Sequence, residues 1–507
     1  MKKIIKLNDL SPIIKKLKKN KNKIILCHGV FDLLHVGHIK HLKKAKELGD
    51  KLIVTITADK YVNKGPGKPV FNQELRAEAL SSIQCVDYVS INENATAIKP
   101  LSIIKPNIYC KGKDYKNSKD DISGQIKNEL AVLKKNKGKV FYTHELTFSS
   151  SRTINTATDF YSKSHKKIVK EILKHTNFTE IKRKFQELKK LKILVIGETI
   201  LDEYIFCEAI GKSGKEPILV LKELEKKIYL GGILSIANNL SQFSNNVSVI
   251  SMTGDTRSYN SYIKKNLSKK ITMNLMTKKN SPTILKRRFI DAISKNKIFG
   301  VYDINDDILE PSDEKKFNNK LNKEIKKYDL VIVSDYGHGL ISRKSAKIIC
   351  KEAKFLALNA QVNAFNVGYH TMKNYEKFNT LIINEREIRH ELRDKTGQLN
   401  DLIKKLSKDR SVENLVVTKG SSGSILYNKK LNKFFTSEAY AKKVIDKIGA
   451  GDTMLAIIAL CLQLKMNTNL SLLISSLAAA QSVGSLANEI KLDQIQMLKT
   501  LENILKH

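Results

Sequence analysis

Gly29-Val-Phe-Asp-Leu-Leu-His-Val-Gly-His38 decides how the first third of the chain is read. The apolar run Ile24 to Cys27 before it reads as a buried strand, and the pattern after it, through Leu48, reads as an amphipathic helix. A strand, a glycine turn and a helix N-terminus together make an anion site. Unpaired backbone N–H groups and the positive end of the helix dipole face whatever binds there. His35 and His38 stand at that turn, spaced so that both can address one polyphosphate. Imidazolium groups donate to phosphate oxygens and neutralise the charge that builds up when an α-phosphorus is attacked. Gly29 and Phe31 are expected at the bound nucleotide, and Gly37 leaves no side chain where backbone and nucleotide must approach.

Outward from this point, apolar strands alternate with polar helical stretches as far as about Asn155. The strands are Ile24–Cys27, Lys51–Ile56, Val86–Ile91, Ile108–Cys110 and Lys139–Tyr142, and a basic amphipathic helix precedes them in residues 1 to about 20. The alternation predicts a doubly wound parallel α/β sheet with its ligand at the carboxyl ends of the strands. Three further stretches lie at such ends or at helix starts. They are Lys64-Gly-Pro-Gly-Lys-Pro-Val70 with Arg76 beyond it, Lys111-Gly-Lys-Asp-Tyr115, and Phe148-Ser-Ser-Ser-Arg-Thr-Ile154. His35-Val-Gly-His38 resembles the H-x-G-H signature of the nucleotidyltransferase superfamily. The whole series resembles the adenylyltransferase domain of bifunctional ADP-heptose synthase and, more loosely, glycerol-3-phosphate cytidylyltransferase. The resemblance implies that His35 and His38 stabilise the transition state and that Lys46 contacts phosphate. It also implies that Lys111, Gly112 and Asp114 line the nucleotide pocket, with Ser149, Ser150 and Ser151 on phosphate oxygens and Arg152 nearby. The R-T-E-G-I-S-T-T motif of the cytidylyltransferase is not found, so ATP and CTP both stay open as the nucleotide.

Residues 156–190, polar and dense in lysine, read as a helical linker, and a second α/β unit begins at Lys192 with Ile193-Leu-Val-Ile-Gly-Glu-Thr-Ile-Leu-Asp202. The expected division is 1–155, 156–190 and 191–507. In the second unit, Asp446-Lys-Ile-Gly-Ala-Gly-Asp-Thr453 precedes an apolar helix. Gly449, Ala450 and Gly451 can hold a phosphoryl group on helix N-terminal amides, while Asp452 is placed to take a hydroxyl proton. Asn384-Glu-Arg-Glu387, Gly231-Gly232, Val417-Thr-Lys-Gly-Ser-Ser-Gly423 and Ser334-Asp-Tyr-Gly-His-Gly339 complete a set that resembles the ribokinase-like (PfkB) sugar kinases. By that resemblance Asp452 is the catalytic base, and Asn384 and Glu387 organise phosphate and Mg2+, the latter through water. Thr418, Lys419, Gly420 and Gly423 border ATP, while Asp202, Gly231, Gly232, Ser235 and Asp335 face the sugar. The chain departs from the family at three places. Ser235 stands where G-G-x-x-N has its Asn, Lys447 and Ile448 replace the usual threonines, and Leu358-Asn-Ala-Gln-Val-Asn-Ala-Phe-Asn366 replaces D-P-K.

Composition narrows the remaining choices. The formal charge of +39 invites a nucleic-acid reading, but the lysines are spread along the chain among Asn and Ile rather than gathered in a stripe. Six cysteines without C-x-x-C spacing point to reduced thiols in a cytosolic protein, and the basic N-terminus lacks the apolar core of a signal peptide. Met454 to Leu464 is too short to span a bilayer and reads as a buried helix. The expectation is therefore a cytoplasmic bifunctional enzyme of two doubly wound α/β domains, one Rossmann-like and one ribokinase-like. It would take a sugar or sugar phosphate and nucleoside triphosphates, use Mg2+, bind neither membrane nor specific nucleic acid, and permit a homo-oligomer. Two rivals are an active transferase with a degenerate, sugar-binding kinase domain and a nucleic-acid-binding protein.

Overall fold

Two parallel sheets of different size organise the chain. The computed structural model describes residues 3–62, 68–112, 125–143, 162–363, 365–441 and 444–505. They fall into two compact units, Met1–Val169 with Ile495–His507, and Lys170–Gln494.

The first unit holds strands β1 (Ile24–Gly29), β2 (Lys51–Thr57), β3 (Tyr88–Asn92), β4 (Ile108–Gly112) and β5 (Lys139–Thr143). Their order is β3-β2-β1-β4-β5, every neighbouring pair parallel. The chain winds one way from β1 to β3 and the other way through β4 and β5. The crevice of such a sheet therefore lies at the carboxyl ends of β1 and β4. Near-continuous apolar strands are what a sheet covered on both faces requires, and Ile24 to Cys27 are all fully buried. The N-terminal helix, Leu10–Lys19, covers one face with Leu10, Ile14 and Leu17, three residues at helical spacing. The helix Val36–Lys46 covers the other with Leu42 and Ala45.

The second unit is built on nine strands. In chain order these are β6 (Lys192–Gly197), β9 (Asn246–Gly254), β10 (Ile271–Lys278), β13 (Leu330–Asp335), β14 (Leu356–Ala360), β15 (Thr380–Asn384), β16 (Asn414–Thr418), β17 (Ser424–Asn428) and β18 (Lys433–Ser437). They lie in the order β10-β9-β6-β13-β14-β15-β16-β17-β18, parallel as far as β16 and antiparallel beyond. Here the winding reverses between β6 and β13. A separate four-stranded sheet contains β7 (Thr199–Lys212), β8 (Leu219–Gly231), β11 (Ile284–Asp291) and β12 (Lys297–Asp303), in the order β12-β11-β7-β8. The expected α/β class and parallel sheets are thus observed. The apolar stretch near the C-terminus forms the helix Ala450–Gln463, whose residues from Thr453 to Cys461 are buried. No helix among the described residues is long and apolar enough to cross a membrane.

The expected linker is more than a spacer. Residues 178–188 form a helix whose Ile181, Phe185 and Leu188 are buried, with the Phe185 ring 6.1 Å from that of Phe243 within the second unit.

Candidate functional site

In the first unit the H-x-G-H turn sits at the β1 end of the crevice. His35 is the N-cap of the helix Val36–Lys46, and its Nδ1 accepts the Gly37 N–H at 3.1 Å. His35 thus caps the helix that follows the turn. The His35 and His38 rings lie 4.0 Å apart, centroid to centroid, and the Phe31 ring meets His38 edge-on at 5.5 Å. Phe31 takes a left-handed backbone (φ 49°), which carries its ring to within 3.1 Å of where a Cβ on Gly29 would stand. That close approach explains the glycine.

Two buried side chains hold the turn. The Asp32 carboxylate accepts the Val70 and Phe71 N–H groups. Arg76 is 1% exposed and donates to the carbonyls of Val30, Thr57 and Phe71 and to Asp59 Oδ1. Arg76 therefore clamps the loops after β1 and β2 together, a structural task the sequence did not reveal.

Not every expected ligand residue is found at this crevice. Gly112 ends β4, and among the described residues nothing lies within 4 Å of where its Cβ would stand. Lys111 is buried with its ammonium 3.4 Å from Glu129 and 5.0 Å from the Tyr109 ring centroid. Glu129 also accepts the Ala97 N–H and the Tyr109 hydroxyl. Burial opposes the charge on Glu129, yet Lys111 and the Ala97 amide hold its carboxyl below the usual range. Lys46, expected at phosphate, is instead bound to Asp87 Oδ2 at 2.6 Å and to the Asp50 carbonyl, beside the amino ends of β2 and β3. Asp114, Ser149, Ser150, Ser151 and Arg152 lie outside the described residues.

In the second unit the corresponding crevice gathers carboxylates. Asp452 is the third residue of the helix Ala450–Gln463, whose N-cap, Gly449, has φ 83°. A Cβ on Gly449 would also stand 2.2 Å from Asn488 Oδ1, so both conformation and space demand glycine. Among the described residues, a Cβ on Gly451 would meet nothing within 4 Å. Burial pushes the Asp452 carboxyl up to about 7. Asp202 adds to the rise, against a hydroxyl donated by Tyr336 at 2.9 Å and the charge of Lys286.

Asp202 pairs with Arg288 of β11, and its Oδ2 lies 2.2 Å from where a Cβ on Gly231 would be. Gly232 has φ 52°, and a Cβ there would press on the Glu198 carbonyl at 2.9 Å. Ser235 is 3% exposed, and its hydroxyl has no hydrogen-bond partner among the described residues. Glu198, which the motif reading missed, closes β6 and accepts the N–H groups of Tyr336 and His338. Burial and then Asp335 raise it to about 7. A carboxylate placed one residue beyond the β6 strand was the available signal.

Asp335 corrects an expectation. Its Oδ1 accepts the Gly337 N–H and its Oδ2 accepts the Tyr375 hydroxyl, with His370 Nε2 at 3.7 Å. At 2% exposure it shapes the 335–339 loop instead of presenting a carboxylate to a sugar. The amide-rich strip serves the same loop: Asn363 and Asn366 both donate to the Tyr336 carbonyl. Asn384 and Glu387 form a reciprocal capping box, each side chain bound to the other's backbone N–H at 2.9 Å. Burial raises the Glu387 carboxyl. With one oxygen thus engaged, Glu387 suits a water-mediated rather than a direct partner for a hard cation. Thr418 ends β16, and Lys419 to Gly423 form a tight turn in which Gly420 and Gly423 have φ 58° and 81°.

Two family models match the chain. Residues 26–157 match the cytidylyltransferase-like family model, and residues 190–493 match that of the pfkB family carbohydrate kinases. Two relatives are each named Bifunctional protein HldE. The one from Aliarcobacter butzleri is 31% identical over 307 residues, 59% of this chain and 62% of the relative. The one from Campylobacter jejuni is 28% identical over 321 residues, 62% of this chain and 66% of the relative. The chain thus spans less than two thirds of either relative's length. The crystal structure of phosphofructokinase-2 from Escherichia coli in complex with potassium shares the fold of the larger unit. It has a TM-score of 0.50 at 11% identity and covers 62% of this chain and 99% of that one. Because the kinase model accounts for well over half of the residues, the chain belongs to the pfkB family of carbohydrate kinases.

Proposed function

We propose that the second unit phosphorylates a heptose-like sugar with ATP and that the first joins the resulting sugar phosphate to a nucleotide from ATP or CTP. The products would be pyrophosphate and a nucleotide-activated sugar for surface glycan synthesis. One observation carries the kinase half: Asp452 lies in the first turn of the helix Ala450–Gln463, its carboxyl poised to exchange a proton near pH 7. In the reaction Asp452 takes the proton of the acceptor hydroxyl as its oxygen attacks the γ-phosphorus. The Gly449 to Gly451 amides receive the charge of the transferring group. Mg2+ bound to the phosphates, with Glu387 reaching it through water, would supply charge neutralisation. In the transferase half, His35 and His38 would donate to the α-phosphate while the sugar phosphate attacks and pyrophosphate leaves. The name shared by the two relatives supports a bifunctional reading.

A second reading keeps the transferase and makes the larger unit a sugar-binding module. The buried Ser235 hydroxyl at the place of a sugar-contacting Asn favours it. Sugar-dependent ADP release by the full chain separates the two. Release with any sugar or sugar phosphate supports the kinase, and its absence alongside tight sugar binding supports the module. Pyrophosphate release with ATP or CTP against a panel of heptose and glycerol phosphates tests the transferase.

A further inference from the structure

Cys27 on β1 and Cys110 on β4 stand directly opposite each other in the parallel ladder, so their side chains leave the same face of the sheet. Both are essentially unexposed and pack in the apolar layer with Leu42 and Ala45 of the helix Val36–Lys46. That helix also supplies His41. One ligand atom from each of Cys27, His41 and Cys110 lies within 4.8 Å of the other two. We propose that these three residues form a binding site for a soft divalent transition metal, Zn2+ before others, that fastens the H-x-G-H helix to the two strands flanking the crevice.

The chemistry of the donor set supports this. Tetrahedral Zn2+ with Zn–S of about 2.3 Å and Zn–N of about 2.0 Å needs ligand atoms roughly 3.5–3.8 Å apart, which small side-chain rotations from the observed spacing supply. Two thiolates and a neutral imidazole cancel the charge of a divalent ion, so the loaded site buries no net charge. His41 Nδ1 is 2.8 Å from Thr143 Oγ1, and that hydroxyl in turn donates to the Lys111 carbonyl. Thr143 therefore accepts from Nδ1–H, which leaves the Nε2 lone pair for a metal; this is the outer contact that orients ligating histidines. A disulfide would use the two sulfurs but leave the oriented histidine without a purpose. Sulfur and nitrogen donors reject Mg2+, which keeps this ion distinct from the one carried by a nucleotide.

The test uses the full chain, stripped with a chelator and titrated with Co2+ and then Zn2+. We expect one ion per chain, a thiolate-to-cobalt charge-transfer band, and protection of Cys27 and Cys110 from alkylation in peptide mapping. Cys85, Cys207, Cys350 and Cys461 should stay as reactive as in the stripped protein. Cys110→Ser should abolish the band. His41→Gln, on a helix face that is only partly buried, should keep the fold yet lose both the band and the Zn2+-dependent rise in Tm. A missing band, a band that survives both substitutions, or a Cys27–Cys110 disulfide in protein purified without reductant would overturn the site.

Discussion

Tyr336→Phe tests how the acidity of Asp452 is set. The phenol donates to Asp452 Oδ1 at 2.9 Å and is one of the few contacts holding that carboxyl down against burial. A hydrogen bond to a charged group contributes about 1.5–3 kcal/mol, which at about 1.36 kcal/mol per unit is roughly one to two pKa units. The sign is fixed, because Phe removes a donor that favours the carboxylate and the protonated form gains. Starting from about 7, the acid limb of the kinase pH profile should therefore move up by about one to two units. Turnover at pH 7 should fall about five- to fifty-fold and return to within a factor of about two by pH 9. ADP release followed from pH 5 to 10 measures the limb, and a carboxyl-carbon NMR titration of labelled aspartate measures the group directly. A limb that stays put or moves to lower pH, in a folded variant, would refute the reasoning.

Asp452→Asn should abolish sugar-dependent ADP release while sparing pyrophosphate release, and His38→Ala should do the opposite; loss of both activities in either folded variant breaks the two-site assignment. The same Asp452→Asn protein should be the more stable one above pH 7. The raised carboxyl favours the protonated folded state, so its contribution to stability falls as pH rises from about 4 to about 7. Discounted for partial exposure, the gain at pH 8 should be about 1–3 kcal/mol, read as a higher Tm that disappears at pH 4. Gly449→Ala must place a methyl on Asn488 Oδ1 and hold a left-handed backbone, at about 1–3 kcal/mol. We expect most of the kinase turnover to go, with the KM of the transferase unchanged. Lys46→Met should leave the KM for nucleoside triphosphate unaltered and lower stability by only about 0.2–1 kcal/mol, as its ion pair with Asp87 is partly solvated.

The five strands of the first sheet and the opening strand of the nine-stranded one were legible because each is a short apolar run, and the motifs of the first unit were legible because they begin at the ends of such runs. Lys46 was misread for a reason of length. It shares a helix with His38 and so seems close to the turn, but eight residues at about 1.5 Å each carry it about 12 Å toward the other end of the sheet. Asp335 was misread because its partner Tyr375 lies 40 residues further on and no local pattern announces it. Arg76 and Glu198 do their work on backbone groups of loops distant in sequence, contacts that exist only once the strands are laid side by side. The capping box of Asn384 and Glu387 was written in the spacing N-x-x-E, but that spacing serves a helix start and a phosphate site equally well.

The chain of contacts that reaches Asp452 has an evolutionary consequence. Asn363 and Asn366 grip the Tyr336 carbonyl, Glu198 grips its amide, and the Tyr336 hydroxyl donates to Asp452. Drift in the amide-rich strip can therefore retune the pH at which the enzyme works while every signature motif stays intact. Lineages in environments of different acidity could diverge in that strip alone, and a catalogue of active-site residues would not record the difference.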